Sequence, residues 1–150
     1  MDSEEQINPS WRERIRVTDV RVLRGNDAAG REAECEVEVE LTLAGSARSM
    51  GHATGTDDPE GRMRAGANAT LDALIPVLRG RLDLELQGIR SLQEFDSFLI
   101  IAAVNGSGGG ESYFLVGAVA VPEAEAVRGA VLAVLDSANR VVEHFVGIPG

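Results

Sequence analysis

A chain of 150 residues with 44% apolar and 25% charged side chains has the length and composition of one globular domain, able to bury roughly two-thirds of its unfolded surface. The net charge of −10, with all fourteen basic residues arginine and none clustered, opposes a nucleic-acid backbone as partner. The longest apolar run, Phe98 to Val104, is too short to cross a bilayer and no charged-then-apolar leader opens the chain, so the expectation is a soluble, cytoplasmic protein with no membrane partner.

Residues 1–13 are acidic and polar, hold Pro9 and lack periodicity, which predicts a mobile tail, with Trp11 as the side chain able to dock it. Residues 14–150 then read as a single domain of two successive units, 14–80 and 81–147. Ile15, Val17, Val20 and Val22 predict a first strand that ends at the turn residues Gly25-Asn26-Asp27 and Gly30. Cys35, Val37, Val39, Leu41 and Leu43 alternate with Glu34, Glu36, Glu38, Glu40 and Thr42, the period of a strand with one buried and one wet face. A turn at Ala44-Gly45-Ser46 leads to a third strand, Arg48 to Thr56.

At Asp57-Asp58-Pro59-Glu60 the period changes. Asp58 suits an N-cap, Pro59 the first helical position, and Glu60 the positive end of the helix dipole. Met63, Ala67, Leu71, Leu74 and Leu78 then form one apolar stripe at helical spacing, with Pro76 in the last turn and Gly80 closing the helix.

The order repeats in the second half. Leu82, Leu84 and Leu86 alternate with polar residues in a fourth strand that runs towards Leu92. Ser97 to Val104 is the fifth strand, Asn105-Gly106-Ser107-Gly108-Gly109-Gly110 its hairpin loop, and Tyr113 to Val121 the sixth. Pro122-Glu123 opens a final helix with a seam of Val127, Val131, Val134, Ala138, Val141 and Phe145. Leu71-Asp72-Ala73 in the first helix matches Leu135-Asp136-Ser137 in the second, and each helix follows a strand carrying Gly51 or Gly117. The fold class is therefore α+β: a tandem βββα repeat, with two three-stranded antiparallel sheets each backed by one helix.

The fifth and sixth strands do not alternate. Phe98 to Val104 and Phe114 to Val121 are apolar on both sides, and a half-exposed antiparallel strand should show a polar side. Something must cover both. The helices can cover one; the other needs the first sheet of the same chain, a second copy, or another protein. A homodimer is the expected answer, with Phe98, Ile100, Leu115 and Val119 as interface residues.

The chemistry-bearing residues are sparse. His52 and His144, the only histidines, have no neighbour at metal-ligand spacing, so no metal and no cofactor are expected. Cys35 lies on the buried side of its strand, where a thiol behaves as a small hydrophobe more often than as a nucleophile. No nucleophile-elbow motif is present, and the expectation is a non-catalytic chain. Gly51-His52-Ala53-Thr54-Gly55 runs from a strand into a helix N-terminus, which suits either a tight turn with an N-cap or a cradle for a carboxylate. On the second reading Gly51, His52, Thr54 and Gly55 are candidate ligand contacts, with Gly117 and Ala118 at the equivalent place in the second unit.

Two βββα units in tandem, Gly117 before the last helix, and the segment Ala133-Val134-Leu135-Asp136-Ser137-Ala138-Asn139-Arg140 resemble the C-terminal regulatory domain of 2-isopropylmalate synthase. The family's Gly-x-Gly-x-Asp-x-Asp stretch stands here as Gly117-Ala118-Val119-Ala120-Val121-Pro122-Glu123, without its acidic positions. The resemblance implies a regulatory module that dimerises and binds a small metabolite at the dimer interface. The layout is also similar to that of small actinobacterial proteins. A structural or adaptor protein that docks another chain through its apolar sheet is the alternative.

Overall fold

A computed structural model of the chain describes residues 15–24, 34–43 and 47–146, and of Arg24 and residues 140–146 the backbone alone. The tail at 1–13 with Trp11, the turns at Gly25-Asn26-Asp27, Gly30 and Ala44-Gly45-Ser46, and the side chains of Val141, His144 and Phe145 lie outside the described residues. The elements are β1 (Arg16–Arg24), β2 (Glu34–Thr42), β3 (Arg48–Thr56), α1 (Pro59–Leu78), β4 (Asp83–Glu94), β5 (Ser97–Gly108), β6 (Glu111–Val121), and α2 (Ala126–Val146). They form two three-stranded antiparallel sheets, ordered β1-β2-β3 and β4-β5-β6, each followed by its helix.

The glutamate alternation in β2 sets the first sheet. Cys35, Val37, Val39 and Leu41 are sealed from water, while the glutamates face out. Burying an aliphatic side chain of this size contributes about 1.5–3 kcal/mol. In β1 the apolar positions switch from Ile15 and Val17 to Val20, because Thr18 is an extra residue between Val17 and Asp19 in the pairing with β2. β4 repeats the device: Leu84 and Leu86 face the core, Gln87 is the extra residue, and Ile89 is buried on the same side.

Helix α1 starts as its sequence predicts. Asp58 is the N-cap, its carboxylate accepts the Gly61 N–H at 2.6 Å, and Pro59 takes the first position. The hydrogen bonds from Gly61 and from Thr56 hold this carboxyl below the usual aspartate range. The helix ends at Arg79, which adopts a left-handed φ of 54° and donates its N–H to the Ile75 carbonyl. Its buried surface is wider than the stripe Met63, Ala67, Leu71, Leu74 and Leu78, taking in Ala65, Ala69, Thr70, Ala73 and Val77 as well. One stripe lies on β2 and β3; the extra width packs against α2 and β4.

Helix α2 lies on β5 and β6, with Val131, Val134 and Ala138 buried as the seam predicts. It does not begin at Pro122-Glu123. A single 3-10 turn, Glu123–Glu125, comes first, and the α-helix starts at Ala126. The two helices pack against each other, and each also touches the first strand of the opposite unit. Among the described residues every buried side-chain polar atom is satisfied; Ser49 Oγ, for example, donates to the Ala73 carbonyl at 2.5 Å.

The β5–β6 loop is shorter than the glycine run suggests. β5 continues through Asn105, Gly106, Ser107 and Gly108, and Gly108 pairs with Glu111. Only Gly109 and Gly110 turn, with φ of 62° and 81°, the left-handed pair a two-residue hairpin requires. No helix among the described residues is long and apolar enough to cross a membrane.

Candidate functional site

The repeated words of the sequence meet at two equivalent joints. At Gly51 a Cβ would overlap the Ala69 carbonyl oxygen and stand 2.9 Å from the Ala73 Cα; at Gly117 it would overlap the Ala133 carbonyl oxygen and stand 2.9 Å from the Ser137 Cα. Each glycine lets a helix backbone rest directly on a strand. The strand's next amide is then met from the helix. His52 N–H donates to the Asp72 carboxylate at 3.0 Å, and Ala118 N–H donates to the Asp136 carboxylate at 3.1 Å. β3 and β6 are edge strands, so each aspartate satisfies an amide that no neighbouring strand reaches.

These joints account for four of the six candidate ligand contacts without a ligand. Gly51 and Gly117 are buried against helices in different sheets, and the amides of His52 and Ala118 are already bonded. The His52 and Thr54 side chains stand on the outer side of β3, whereas Gly55 turns inward against Gly61. The structure does not bring the six together. His52 Nε2 lies 3.9 Å from a Glu36 carboxylate oxygen on an exposed surface. Cys35 is buried and its thiol is directed at the Thr56 carbonyl at 3.5 Å; burial, with the Asp57 carboxylate adding to it, pushes the thiol up from its ordinary value. Among the described residues no group of three or more His, Cys, Asp or Glu is placed to hold a metal ion.

Concave space is limited. A groove of about 700 Å³ opens where the N-termini of both helices approach β1, lined by Asp19, Glu60, Glu123 and Glu125 with Arg62 and Arg128. The carboxylates outnumber the guanidinium groups there, and Arg62 is held by Asp57 at 2.6 Å. The groove offers nothing selective for an anion, and it includes none of the six candidates.

The two outer sheet surfaces differ sharply. Across the first sheet Arg21 pairs with Glu38 at 2.8 Å and Arg48 with Glu40 at 3.4 Å; Leu23 and Met50 are exposed among these charges. The outer surface of the second sheet carries Glu85, Arg90, Leu92 and Glu94 on β4, then Leu99, Ile101, Ala103 and Asn105 on β5, then Phe114, Val116, Ala118 and Ala120 on β6. Phe114 is 67% exposed, Val116 56% and Leu92 47%, so nothing in the described chain covers them. Scattered exposed apolar residues are ordinary; a contiguous block on one sheet is not.

The apolar surface is therefore real, but its residues are not those expected. Ile100 is fully buried, and Phe98, Leu115 and Val119 pack against the core, all on the side facing α2. Strands apolar on both sides give no phase. The signal that could have supplied it was Gly117: its match to Gly51 turns odd-numbered residues of β6 inward and even-numbered ones outward. No family model matches the chain, and no curated protein matches it.

Proposed function

We propose that this chain is a non-catalytic assembly module of the cytoplasm, of the regulatory kind, which works as a homodimer through the outer surface of its second sheet. The observation that carries the reading is the contrast between two sheets of the same topology. One outer surface is laced with Glu–Arg pairs, whereas the other exposes Phe114, Val116 and Leu92 in a single block. At about 25 cal/mol per Å² of apolar surface, covering a few hundred Å² contributes several kcal/mol to association. Among the described residues the thiol of Cys35 is buried and the ring of His52 lies on an open surface, which supports a non-catalytic role. The likeness of the tandem βββα order to a metabolite-responsive regulatory domain supports the same class, with a small metabolite at the interface as its regulatory extension.

The test is the mass of the full chain by sedimentation equilibrium, for the native sequence and for Val116→Glu. Val116 is exposed, so circular dichroism of the variant should be unchanged while a dimer becomes a monomer. A native chain that stays monomeric at high micromolar concentration, or a dimer indifferent to Val116→Glu, overturns the reading.

A further inference from the structure

The cross-strand pairs on the outer surface of the second sheet share one property. Leu99 stands beside Ala120, Ile101 beside Ala118, Ala103 beside Val116, and Asn105 beside Phe114. In the first two rows the bulky side chain is on β5; in the last two it is on β6. The surface is a diagonal ridge with an alanine hollow on each side of it.

We infer that the occupant of this surface is a second copy of the chain, packed sheet to sheet about a two-fold axis that runs parallel to the strands between β5 and β6. The inference rests on the homodimer reading and specifies its geometry. Such an axis carries β5 of one copy over β6 of the other and keeps each row at its own level. Leu99 then faces the partner's Ala120, Ile101 the partner's Ala118, and Val116 the partner's Ala103, so each aliphatic bulk of β5 and β6 meets a hollow. An axis perpendicular to the strands, set between the Ile101 and Ala103 rows, also sets bulk over hollow, with Ile101 over the partner's Ala103 and Val116 over the partner's Ala118, but it lays β4 over β4; charge separates the two axes.

Charge follows the same operation. Arg90, Ile101 and Ala118 form one row across the sheet, and the Asp136 carboxylate continues it past the edge of β6, where it accepts the Ala118 N–H. The two-fold axis carries β4 over that edge, so Arg90 comes to the partner's Asp136, twice per dimer. Arg90 is exposed and makes no ion pair among the described residues. An extended arginine spans much of the ~10 Å between packed sheets.

The area suits a weak dimer. The overlapping strands β5 and β6 have 12 and 11 residues. At a rise of about 3.3 Å per residue and a strand spacing of about 4.8 Å they present roughly 350 Å² of flat area per copy. Two corrugated copies bury on the order of 1,000 Å² of accessible surface, the range of weak, transient interfaces. Aligned sheets cross at about 30°, so the match is best in the central rows, which are those of Ile101–Ala118 and Ala103–Val116.

A volume swap tests the geometry. Ala118→Ile sets bulk against the partner's Ile101 and should raise the dimer dissociation constant about tenfold or more, since overpacking of this size occurs at two symmetric places. Ile101→Ala should weaken association by a similar factor. The double variant Ile101→Ala/Ala118→Ile restores bulk over hollow and should return to within about threefold of the native constant, a coupling of the size contacting residues show. Arg90→Glu should weaken the dimer, and most at low salt. All positions are on the open surface, so circular dichroism should stay native. Val116→Glu dissociating the dimer without recovery by the double swap overturns this two-fold geometry and leaves the homodimer reading standing. A native monomer, or a dimer indifferent to Val116→Glu and Ala118→Ile alike, overturns both.

Discussion

Two glycines and two aspartates explain more of this molecule than any polar cluster. Gly51 and Gly117 are the points where helix backbone replaces side chain against the strand, so Gly51→Ala or Gly117→Ala should cost about 3 kcal/mol or more in a denaturant titration, because backbone on both sides leaves little room to yield. Phe95 presents the opposite situation. With Asp96 it makes the two-residue turn between β4 and β5, at φ of 51° and 64°, and its ring is 95% exposed. A bulky residue gains nothing there to offset left-handed strain, so Phe95→Asn should raise stability by about 1 kcal/mol, read as a higher melting temperature. Cys35, buried and with its thiol pushed up, should react with a thiol reagent only as fast as the chain unfolds.

At the scale of elements, the alternating glutamates of β2, the Asp58-Pro59-Glu60 start of α1 and the matching Leu-Asp-Ala and Leu-Asp-Ser words were legible in the sequence, because each has a local physical cause. The meaning of the words was not. Only packing reveals that Asp72 and Asp136 serve strand amides. The Asn105–Gly110 run misled because glycine marks close approach as well as turning: Gly108 lies against the Arg81 backbone within a strand. The phase of β5 and β6 was hidden because no polar residue marks it. Asp72→Ala should speed hydrogen exchange at the His52 amide while leaving Ala118 protected, a contrast visible by NMR. The Asp58 carboxyl is held below its unfolded value, so its contribution is complete above the ordinary aspartate range and is lost as pH falls through the lower folded value. Asp58→Ala should accordingly lower the melting temperature at neutral pH, and the gap from the native chain should close in strong acid.

For the whole molecule, a βββα unit present twice, with outer sheet surfaces of different character, is the main structural fact. The two units keep the same joints, the same bulge and the same helix placement, yet one outer surface is crossed by ion pairs and the other leaves an apolar block uncovered on β5 and β6. If association covers the bare surface, folding and association are linked, and the melting temperature should rise with protein concentration for the native chain but not for Val116→Glu. The edges of both sheets are also guarded. β3 and β6 carry a carboxylate at an outward amide, and β1 and β4 are bent by the extra residues Thr18 and Gln87. A chain with its borders guarded in this way resists endless strand addition, so on the homodimer reading the greasy sheet makes a finite pair and not a fibre.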